Sequence, residues 1–589
     1  MLVGRTPADH VVGLLGRLGV QDAVCVPGDD LAAGLTALAG EARRGQRLVV
    51  TTSDLLAAGA AVGQLVDDPA VRTGLLVAPG AATGHAVRAQ QRRVVSAGSE
   101  QHDVSRPTGS SLGALVVGVA DGPAAAEAWD AMAGLARSGG WAGDVLDHAA
   151  VALVRRQVEV VAVAPIGPAT RSGDTADRAP VERQLAGLDG ERVLLERANR
   201  PDDGFYSTFV LRRLSKPVTA AALRLGLSPN QVSLLSLAVG LAAAALFWVA
   251  SGWAVALGAV LLQVSIVVDC VDGEVARYTR RFSDLGAWLD ASTDRVKEYA
   301  VYAGLAAGAG RTGTDLWLLA AVVMTMQTTR HMWDYDFQRV QRVRETWVPA
   351  RALDVRDDGG VRDAGAALEL SARLSERPWV GWAKKVVHMP IGERWLLISV
   401  AVVVGGPRWA LLGLLALGLL ALLYSSAGKV LRCRRWRHPR EQSAHWLLDP
   451  QLDLGPIADR RHPDGPSLAG AYGWAVPGLL RVLEMGTVLV VTAWLLPHHA
   501  QWAFAWLFVV AFHHYDTLYR ALAGRRPPRW LVWSGLGVDG RTALVVVAAA
   551  LGATALKSLY GVGSALLLVL FVVVASAQWV GDLQRQEGR

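Results

Sequence analysis

Four aspartates near the middle of the sequence have the spacing of a metal site. Asp269 and Asp272 are three residues apart, and Asp290 and Asp294 are four apart, so each pair falls on one side of a helix. Two consecutive antiparallel helices can bring the two pairs face to face. Converging carboxylates repel one another, and Mg²⁺ or Mn²⁺, which suit oxygen ligands, would relieve that repulsion. The spacing therefore predicts a site for divalent cations.

The residues between these aspartates suit a phosphate-bearing ligand. Gly273 and Gly286 have no side chain, so a ligand can approach the backbone there. Arg277 supplies a permanent cation that suits phosphate. An alternative is that the aspartates only pair with nearby arginines at the helix ends. Two pairs on two stripes favour the metal site, because carboxylates at membrane depth are costly and usually functional.

The elements that position these residues are expected to be membrane helices. The chain has 589 residues, of which 52% are hydrophobic and 19% charged, and its mean hydropathy is +0.28. No charged residue occurs from Leu225 to Val268. This stretch is long enough for two membrane spans of about 20 residues each. The pattern predicts about ten spans in all. The other expected spans are Leu285–Ala307, Leu316–Trp333, Trp395–Gly406, Trp409–Ala427, Trp474–Leu496, Gln501–Leu518, Thr542–Leu556 and Val562–Val580.

Charge predicts how these spans are oriented. Basic clusters at Arg339–Arg344, Lys429–Arg440 and Arg525–Arg529 follow the fourth, sixth and eighth expected spans. The positive-inside rule then predicts an inner, cytoplasmic membrane protein whose N-terminal region and aspartates face the cytoplasm. The net charge of +7 suits an anionic lipid surface, and no nucleic-acid partner is expected. The N-terminus predicts no cleaved signal peptide.

Residues 1–200 have the pattern of a soluble α/β domain. Apolar, β-branched runs alternate with alanine-rich helical stretches such as Leu55–Val66, which predicts a largely parallel sheet. The expected strands are Asp22–Pro27, Arg47–Thr52, Thr73–Ala78, Gly113–Ala120 and Val158–Pro165. The predicted fold class is therefore a soluble α/β domain followed by a polytopic α-helical membrane protein.

The aspartates and their neighbours form a recognisable motif. Over about residues 205–435 the sequence resembles the CDP-alcohol phosphatidyltransferase family, and every position of that family's signature is matched. The stretch Arg212–Ser233 also resembles the family's amphipathic helix and the start of its first span. The resemblance implies a six-span membrane core. The matched string is Asp269-x-x-Asp272-Gly273-x-x-Ala276-Arg277, eight residues, Gly286-x-x-x-Asp290-x-x-x-Asp294.

The resemblance implies a phosphotransferase that uses two divalent ions, Mg²⁺ or Mn²⁺. An acceptor hydroxyl would attack the β-phosphorus of a CDP-alcohol such as CDP-diacylglycerol, and CMP would leave, in phospholipid or polyol-phosphate biosynthesis. Asp294 would be the general base. The metal ligands would be Asp269, Asp272, Asp290 and Asp294. The cytidine diphosphate site would comprise Gly273, Ala276, Arg277 and Gly286, with Asn230 and Ser233 as further candidates.

Two arginines outside the motif are candidates for binding a phosphorylated acceptor. Arg330 lies near the inner end of the fourth expected span, and Arg394 near the start of the fifth. Anchoring at the membrane surface explains both positions equally well. A homodimer in the lipid bilayer is expected from the resemblance.

The flanking regions resemble other modules. Residues 1–200 resemble a nucleotidyltransferase, with Asp54 near the expected metal position, but lack its glycine-rich loop and so suggest a degenerate domain. A bifunctional cytidylyltransferase–transferase of the inositol-phosphate type is the alternative. A polar linker is expected at 436–470. Residues 471–589 form a four-span block that resembles extensions of unknown function in actinobacterial members of the family.

The four-span block contains two polar stretches, Phe512–Asp516 and Gly535–Arg541. They predict either a second polar site or an aromatic belt with a loop turn at the membrane surface, and the belt is favoured. Transporter or silent-scaffold functions are alternatives for the whole chain. A transporter would spread its intramembrane charges along a path, whereas here the aspartates cluster in one intact motif.

Overall fold

The structure of the chain is a computed structural model. It describes residues 7–18, 20, 24–68, 71–80, 84–171, 175–187, 195, 198, 204–345, 350–360, 378–434, 451–461, 472–522 and 528–587. The chain divides into two units. The first contains Met1–Ala198 and Arg342–Leu368, and the second contains Asn199–Gln341 and Glu369–Arg589. Of the polar linker expected at 436–470, only 451–461 fall within the described residues.

The first unit is an α/β domain, as its sequence predicts. Its strands are β1 Leu48–Thr51, β2 Leu55–Ala57, β3 Gly74–Pro79, β4 Ala86–Gln90, β5 Arg93–Ala97, β6 Gly109–Val117, β7 Val161–Val163 and β8 Ala169–Arg171. Its helices are α1 Pro7–Arg17, α2 Leu31–Ala42, α3 Gly59–Asp67, α4 Gly122–Gly139, α5 Val145–Arg155 and α6 Thr175–Ala186. The stretch from Leu55, expected to be helical, begins as strand β2 and becomes helix α3 at Gly59.

The expectation of a largely parallel sheet is wrong. The main sheet has the order β1-β6-β3-β7-β5-β4, with a further β6–β4 pairing that gives it a barrel-like closure. Among the described strands, β3–β7 is the only parallel pair. The reason is that the nine-residue β6 runs antiparallel to β1, β3 and β4. Of the strand expected at 22–27, residues 24–27 are not in a strand and 22–23 lie outside the described residues.

Helices cover both faces of this sheet. Alternate residues of a strand point to opposite faces, so Leu75 packs in one hydrophobic cluster and Leu76 in the other. Helices α2, α4 and α5 bury Leu35, Trp129 and Leu153 in the first cluster. Helices α1 and α3 bury their apolar side chains in the second. Burial of this apolar surface is the main force that holds the domain together.

Residues 350–360, which follow the fourth expected membrane span, pack into the first unit. Leu353 is buried in the hydrophobic cluster of that unit. Asp358 pairs with Arg88 at 2.9 Å and accepts a hydrogen bond from the Ser105 hydroxyl at 2.6 Å. Arg155 donates to the carbonyl of Ala352 at 2.8 Å. The segment lies within the range 205–435 that the sequence assigns to the membrane core, but its contacts complete the α/β domain.

His102 joins this segment to the α/β domain. Its Nε2 donates to the carbonyl of Leu353 at 2.7 Å, and when the ring is neutral its Nδ1 accepts from the hydroxyl of Ser99 at 2.6 Å. Burial lowers the pKa of His102 to about 4, although the bond to Leu353 opposes this shift. An unfolded histidine has a pKa of about 6.5, so below that pH protons bind preferentially to the unfolded segment.

We therefore expect the segment to become less stable as the pH falls from about 6.5 to about 4. The full shift in the pKa of His102 corresponds to a free energy of about 3 kcal/mol. Solvent screening reduces the expected loss of stability to about 2 kcal/mol. Hydrogen–deuterium exchange of peptides from 350–360 in the full chain, corrected for intrinsic exchange, would measure it. His102→Gln removes the titrating group and should flatten the profile. An equally steep pH dependence in that variant would contradict this explanation.

The second unit is helical. Its helices are α7 Arg212–Arg224, α8 Pro229–Val249, α9 Gly252–Thr279, α10 Asp284–Arg311, α11 Trp317–Glu345, α12 Pro378–Val387, α13 Ile391–Gly405, α14 Pro407–Cys433, α15 Pro456–Arg461, α16 Ala475–Leu495, α17 Ala500–Leu522, α18 Arg529–Ser534, α19 Gly537–Ala550, α20 Ala553–Ser558 and α21 Ser564–Glu587. A π-helical turn, Ser207–Leu211, precedes α7, and another, Leu559–Gly563, joins α20 to α21.

This unit makes the chain a multi-pass membrane protein. Among the described residues, six segments are helical, long enough and apolar enough to span a membrane. They are Pro229–Val249, Gly252–Thr279, Pro407–Cys433, Ala475–Leu495, Trp530–Ala550 and Ala553–Gly581. The other four expected spans are also helical, in α10, α11, α13 and α17. Helices α10, α11 and α17 bury charged side chains inside the protein, and α13 has only 15 residues.

The last two spans differ from their expected bounds. The sequence predicts a span at Thr542–Leu556, but the helix breaks at Gly552, whose φ of 105° suits glycine. The ninth span therefore begins earlier, at Trp530, and the tenth begins at Ala553.

Close helix packing fixes the position of α10. A Cβ atom added to Gly304 would lie 2.3 Å from the carbonyl oxygen of Ala244 on α8. One added to Gly308 would lie 2.1 Å from the carbonyl oxygen of Phe247. Small residues at such contacts let membrane helices approach closely. Two of the four aspartates lie on α10, so this packing also sets their distance from α8.

Candidate metal centre

Helices α9 and α10 bring three of the four aspartates together. Asp269 and Asp272 lie on α9, and Asp290 lies on α10. One carboxylate oxygen from each of the three falls within 4.8 Å of the others. Such a set of oxygen ligands fits a hard divalent cation.

Two serines of α8 hold the carboxylates of α9. The Ser233 hydroxyl donates to Asp272 Oδ2 at 2.6 Å, and the Ser236 hydroxyl donates to Asp269 Oδ1 at 3.1 Å. Helix α8 starts at a well-defined point because Ser228 and Gln231 form a capping box. Hydroxyl groups of the second turn of α8 thus support Asp269 and Asp272.

The fourth aspartate has a different environment. Asp294 Oδ1 lies 3.0 Å from Lys297 Nζ, and the same ammonium group contacts Asp269. Arg295 Nη2 lies 3.9 Å from the other oxygen of Asp294. Asp294 therefore borders the cluster of three through a shared lysine.

The glycines of the motif lie beside polar groups. A Cβ added to Gly273 would be 3.0 Å from Nη1 of Arg277, so the guanidinium group covers this part of the backbone. A Cβ added to Gly286 would be 3.2 Å from Asn230 Oδ1. Ala276 is half-buried one turn further along α9. These expected nucleotide-site residues thus lie near the facing ends of α8, α9 and α10.

The two arginines outside the motif lie in a buried network. Arg394 Nε is 3.1 Å from Glu298 Oε1, and its Nη1 donates to the carbonyl of Met389. Arg330 donates to the carbonyl of His388 at 2.7 Å. A phosphate would have to replace these partners to bind here.

Comparison with known proteins decides the family. The sequence model of a protein family, described as CDP-alcohol phosphatidyltransferase, matches residues 227–350. The chain is 33% identical over 171 residues to the phosphatidylinositol phosphate synthase of Mycolicibacterium smegmatis, which covers 28% of this chain and 71% of that relative. The chain belongs to the CDP-alcohol phosphatidyltransferase family. It is therefore a membrane enzyme that transfers a substituted phosphate group from a CDP-alcohol to an acceptor hydroxyl.

Other relatives match the chain at lower identity or over a shorter stretch. The phosphatidylinositol phosphate synthase of Mycobacterium marinum is 26% identical over 207 residues, covering 35% of this chain and 81% of the relative. The bifunctional IPC transferase and DIPP synthase of Aquifex aeolicus is 35% identical over 104 residues, 18% of this chain but only 23% of that relative. Residues 464–585 match a second family, of unknown function (DUF5941).

Membership supports a divalent-metal centre at the aspartates, because enzymes of the CDP-alcohol phosphatidyltransferase family generally depend on divalent metal. The donor set of three carboxylates fits that requirement.

The motif does not reveal several charged residues around this centre. Glu274 is buried and binds α7 through Arg212 and Ser215 at 2.7 and 2.6 Å. Lys297 and Glu298 are also fully buried beside the motif. The sequence did contain a sign of these residues, because each is a charged residue inside or at the edge of an expected span. A charge in that position is costly and usually has a function or a partner.

We expect Ser233→Ala to weaken divalent-metal binding. The hydroxyl fixes the orientation of Asp272, and loss of such a supporting hydrogen bond typically lowers metal affinity by about 10–100-fold. A titration of the purified chain with Mn²⁺, followed by electron paramagnetic resonance, would measure the affinity. Ser425→Ala, a matched change on α14, should leave it unaltered. Equal Mn²⁺ affinity in Ser233→Ala and wild type would show that Ser233 does not position Asp272.

Proposed function

We propose that this enzyme transfers the phosphatidyl group of CDP-diacylglycerol to a hydroxyl of an inositol phosphate. The observation that carries the proposal is the convergence of Asp269, Asp272 and Asp290 at one point in a chain of this family. The acceptor class is supported by two relatives whose names describe phosphatidylinositol phosphate synthesis.

We infer that Asp269, Asp272 and Asp290 bind Mg²⁺ or Mn²⁺. When bound, such an ion neutralises the diphosphate of the donor and stabilises the departing phosphate. Arg277 adds a permanent positive charge that can pair with the same phosphates. Gly273, Ala276 and Gly286 leave room for the nucleotide, with Asn230 and Ser233 at the border of this space.

In the proposed reaction Asp294 accepts the proton of the acceptor hydroxyl. The hydroxyl oxygen forms a bond to the β-phosphorus of the CDP-alcohol, and the bond from this phosphorus to the oxygen bridging it to CMP breaks. The electron pair of that bond leaves with CMP. Asp294 suits the proton transfer because it lies next to the carboxylate cluster, its Oδ1 sharing Lys297 with Asp269.

The N-terminal domain is better explained as a non-catalytic module than as a cytidylyltransferase. Asp54, near the metal position expected from the resemblance, lies 3.6 Å from Arg171 Nε. The same guanidinium pairs with Asp144 at 2.6 Å and Asp147 at 2.9 Å. A fixed cation thus already lies against the carboxylates that a metal would need. A regulatory or scaffolding role fits this arrangement.

We further propose that the enzyme is a homodimer in the inner membrane. The basic clusters that follow the even-numbered spans support a cytoplasmic position for the aspartates and for the N-terminal domain.

The test is a screen of acceptors with the full chain and labelled CDP-diacylglycerol. We expect a labelled lipid and CMP with an inositol phosphate, and much less product with free inositol or glycerol phosphate. Product with glycerol phosphate alone would overturn the acceptor but keep the reaction class. Release of pyrophosphate from CTP and an inositol phosphate, in a parallel reaction, would show that the N-terminal domain is catalytic after all.

A further inference from the structure

A lysine is buried among the carboxylates of the metal centre. The Lys297 side chain has no exposed surface. Its ammonium group contacts Asp269 Oδ1, lies 3.0 Å from Asp294 Oδ1 and donates to the Ser236 hydroxyl at 2.8 Å. The ammonium group donates hydrogen bonds to Asp269 and Ser236, and its contact with Asp294 is an ion pair.

The surroundings of Lys297 are shaped to hold it there. Its aliphatic chain crosses Gly240 of α8, where a Cβ atom would lie 2.9 Å from Cγ and 3.0 Å from Cδ of the lysine. Any larger residue at this position would displace the lysine. The ammonium group also lies 5.6 Å from the ring centre of Trp395, a favourable distance for a cation over an aromatic ring. Residues of three helices therefore fix the charge between Asp269 and Asp294.

This position conflicts with a second metal ion. Two-ion centres hold their ions about 3.5–4 Å apart and need carboxylates for both. One ion would find oxygen ligands in Asp269, Asp272 and Asp290. A second ion would depend on Asp294 and on the remaining oxygens of the other three carboxylates. Lys297 lies 3.0 Å from Asp294 Oδ1 and contacts Asp269 Oδ1, so its positive charge stands where two of those oxygens would face the ion. A bound dication next to the buried ammonium group would also be repelled at short range.

We propose that Lys297 is a resident cation that takes the place of the second divalent ion, so that the centre binds a single Mg²⁺ or Mn²⁺. The lysine holds Asp269 and Asp294 in the arrangement that a second ion would otherwise impose. This inference rests on the proposed function of the aspartates and revises the two-ion expectation drawn from the family resemblance.

Counting Mn²⁺ ions per chain tests the inference without relying on activity. Wild-type protein in detergent, with a CDP-alcohol present, is titrated with Mn²⁺ and monitored by electron paramagnetic resonance. We expect about one ion per chain with the spectrum of an isolated ion. Lys297→Met removes the charge at similar length, and we expect about two ions with a coupled spectrum. Lys216→Met, an exposed lysine on α7, should behave like wild type.

The outcomes separate this inference from the proposed function. Two coupled ions in wild type, or a single ion in a folded Lys297→Met variant, would overturn the role of Lys297 and leave the transferase intact. No bound ion and no release of CMP in wild type would instead overturn the proposed function. If Lys297→Met does not fold, Gly240→Ala displaces the lysine by another route. A second ion in Gly240→Ala would support the inference, and its absence would contradict it.

Discussion

Replacing Asp294 by asparagine is expected to lower the rate of CMP release by about 10²–10⁴-fold while the chain stays folded. The amide has nearly the same shape as the carboxylate but cannot take the proton of the acceptor hydroxyl. Lys297 would keep its contacts with Asp269 and Ser236, so the packing around α8 is retained. Single-turnover release of CMP from labelled donor, with acceptor in excess, measures the chemical step.

The control for this change is Asp284→Asn, on the first turn of the same helix and exposed. Its rate should remain close to that of wild type. Mn²⁺ binding by the three converging aspartates should persist in Asp294→Asn, which separates loss of the base from loss of the metal. A wild-type rate in Asp294→Asn would exclude Asp294 as the base.

The second large effect is a loss of folding stability, and it arises in the four-span block, residues 471–589. Arg541 has no exposed side-chain surface and pairs with Glu484 and with Asp453, each at 2.6 Å. His513 and His514 bind the same two carboxylates at 3.2 and 2.8 Å. The expectation of an interfacial belt is therefore wrong for these residues, because they form an ionic network buried inside the protein. A belt and a buried network have the same sequence pattern when helix orientation is unknown.

Arg541→Met is expected to destabilise the second unit by about 3–5 kcal/mol. The cause is that two buried carboxylates lose their permanent cation, which is far more costly than loss of a surface ion pair. The decrease in unfolding temperature of the purified protein, followed by circular dichroism, would report it. Arg408→Met, an exposed change on α14, is the matched control.

A triple variant distinguishes buried charge from lost packing. Arg541→Met combined with Glu484→Gln and Asp453→Asn removes the cation and both carboxylates together. Most of the lost stability should return, because no uncompensated charge is left. If the triple variant is as unstable as Arg541→Met alone, packing rather than charge explains the effect.

The four-span block also contacts α10, the helix that carries Asp290 and Asp294. Asp516 on α17 accepts a hydrogen bond from Trp288 of α10 at 3.0 Å. Tyr515 lies 3.0 Å from the Nδ1 of His331, which in turn contacts Arg295 of α10. Damage to the network of Arg541 is therefore expected to reach the metal centre through α17.

The convergence of Asp269, Asp272 and Asp290 could be predicted from the sequence because it follows from local geometry, whereas Asp294, expected in the same group, borders it instead. The three- and four-residue spacings place each pair on one helix face, and a short connection makes the two helices antiparallel. The start of α8 could be predicted in the same way, since Ser228, Pro229 and Gln231 are typical of a helix beginning. The contact of Lys297 with Asp269 could not be predicted, because it depends on how the lysine packs against Gly240 on a different helix.

In the first unit, the positions of several strands followed from β-branched residues, but their directions did not. Strand direction depends on which strands are neighbours, and the long antiparallel β6 determines this. The attachment of residues 350–360 to this unit could not be predicted from the sequence either. Its contacts, such as Arg88 with Asp358, join residues far apart in sequence. A fragment of residues 1–200 would lack this segment, so the full chain is the proper sample for functional work.

The most direct test of the central claim is the dependence of CMP release on divalent ions. Purified full chain is incubated with CDP-diacylglycerol and an inositol phosphate, stripped with chelator, and then supplied with Mg²⁺ or Mn²⁺. We predict that CMP release stops on chelation and returns with either ion, and that Asp290→Asn stays inactive at every ion concentration. Undiminished CMP release in excess chelator would contradict the assignment of the three aspartates as the metal centre.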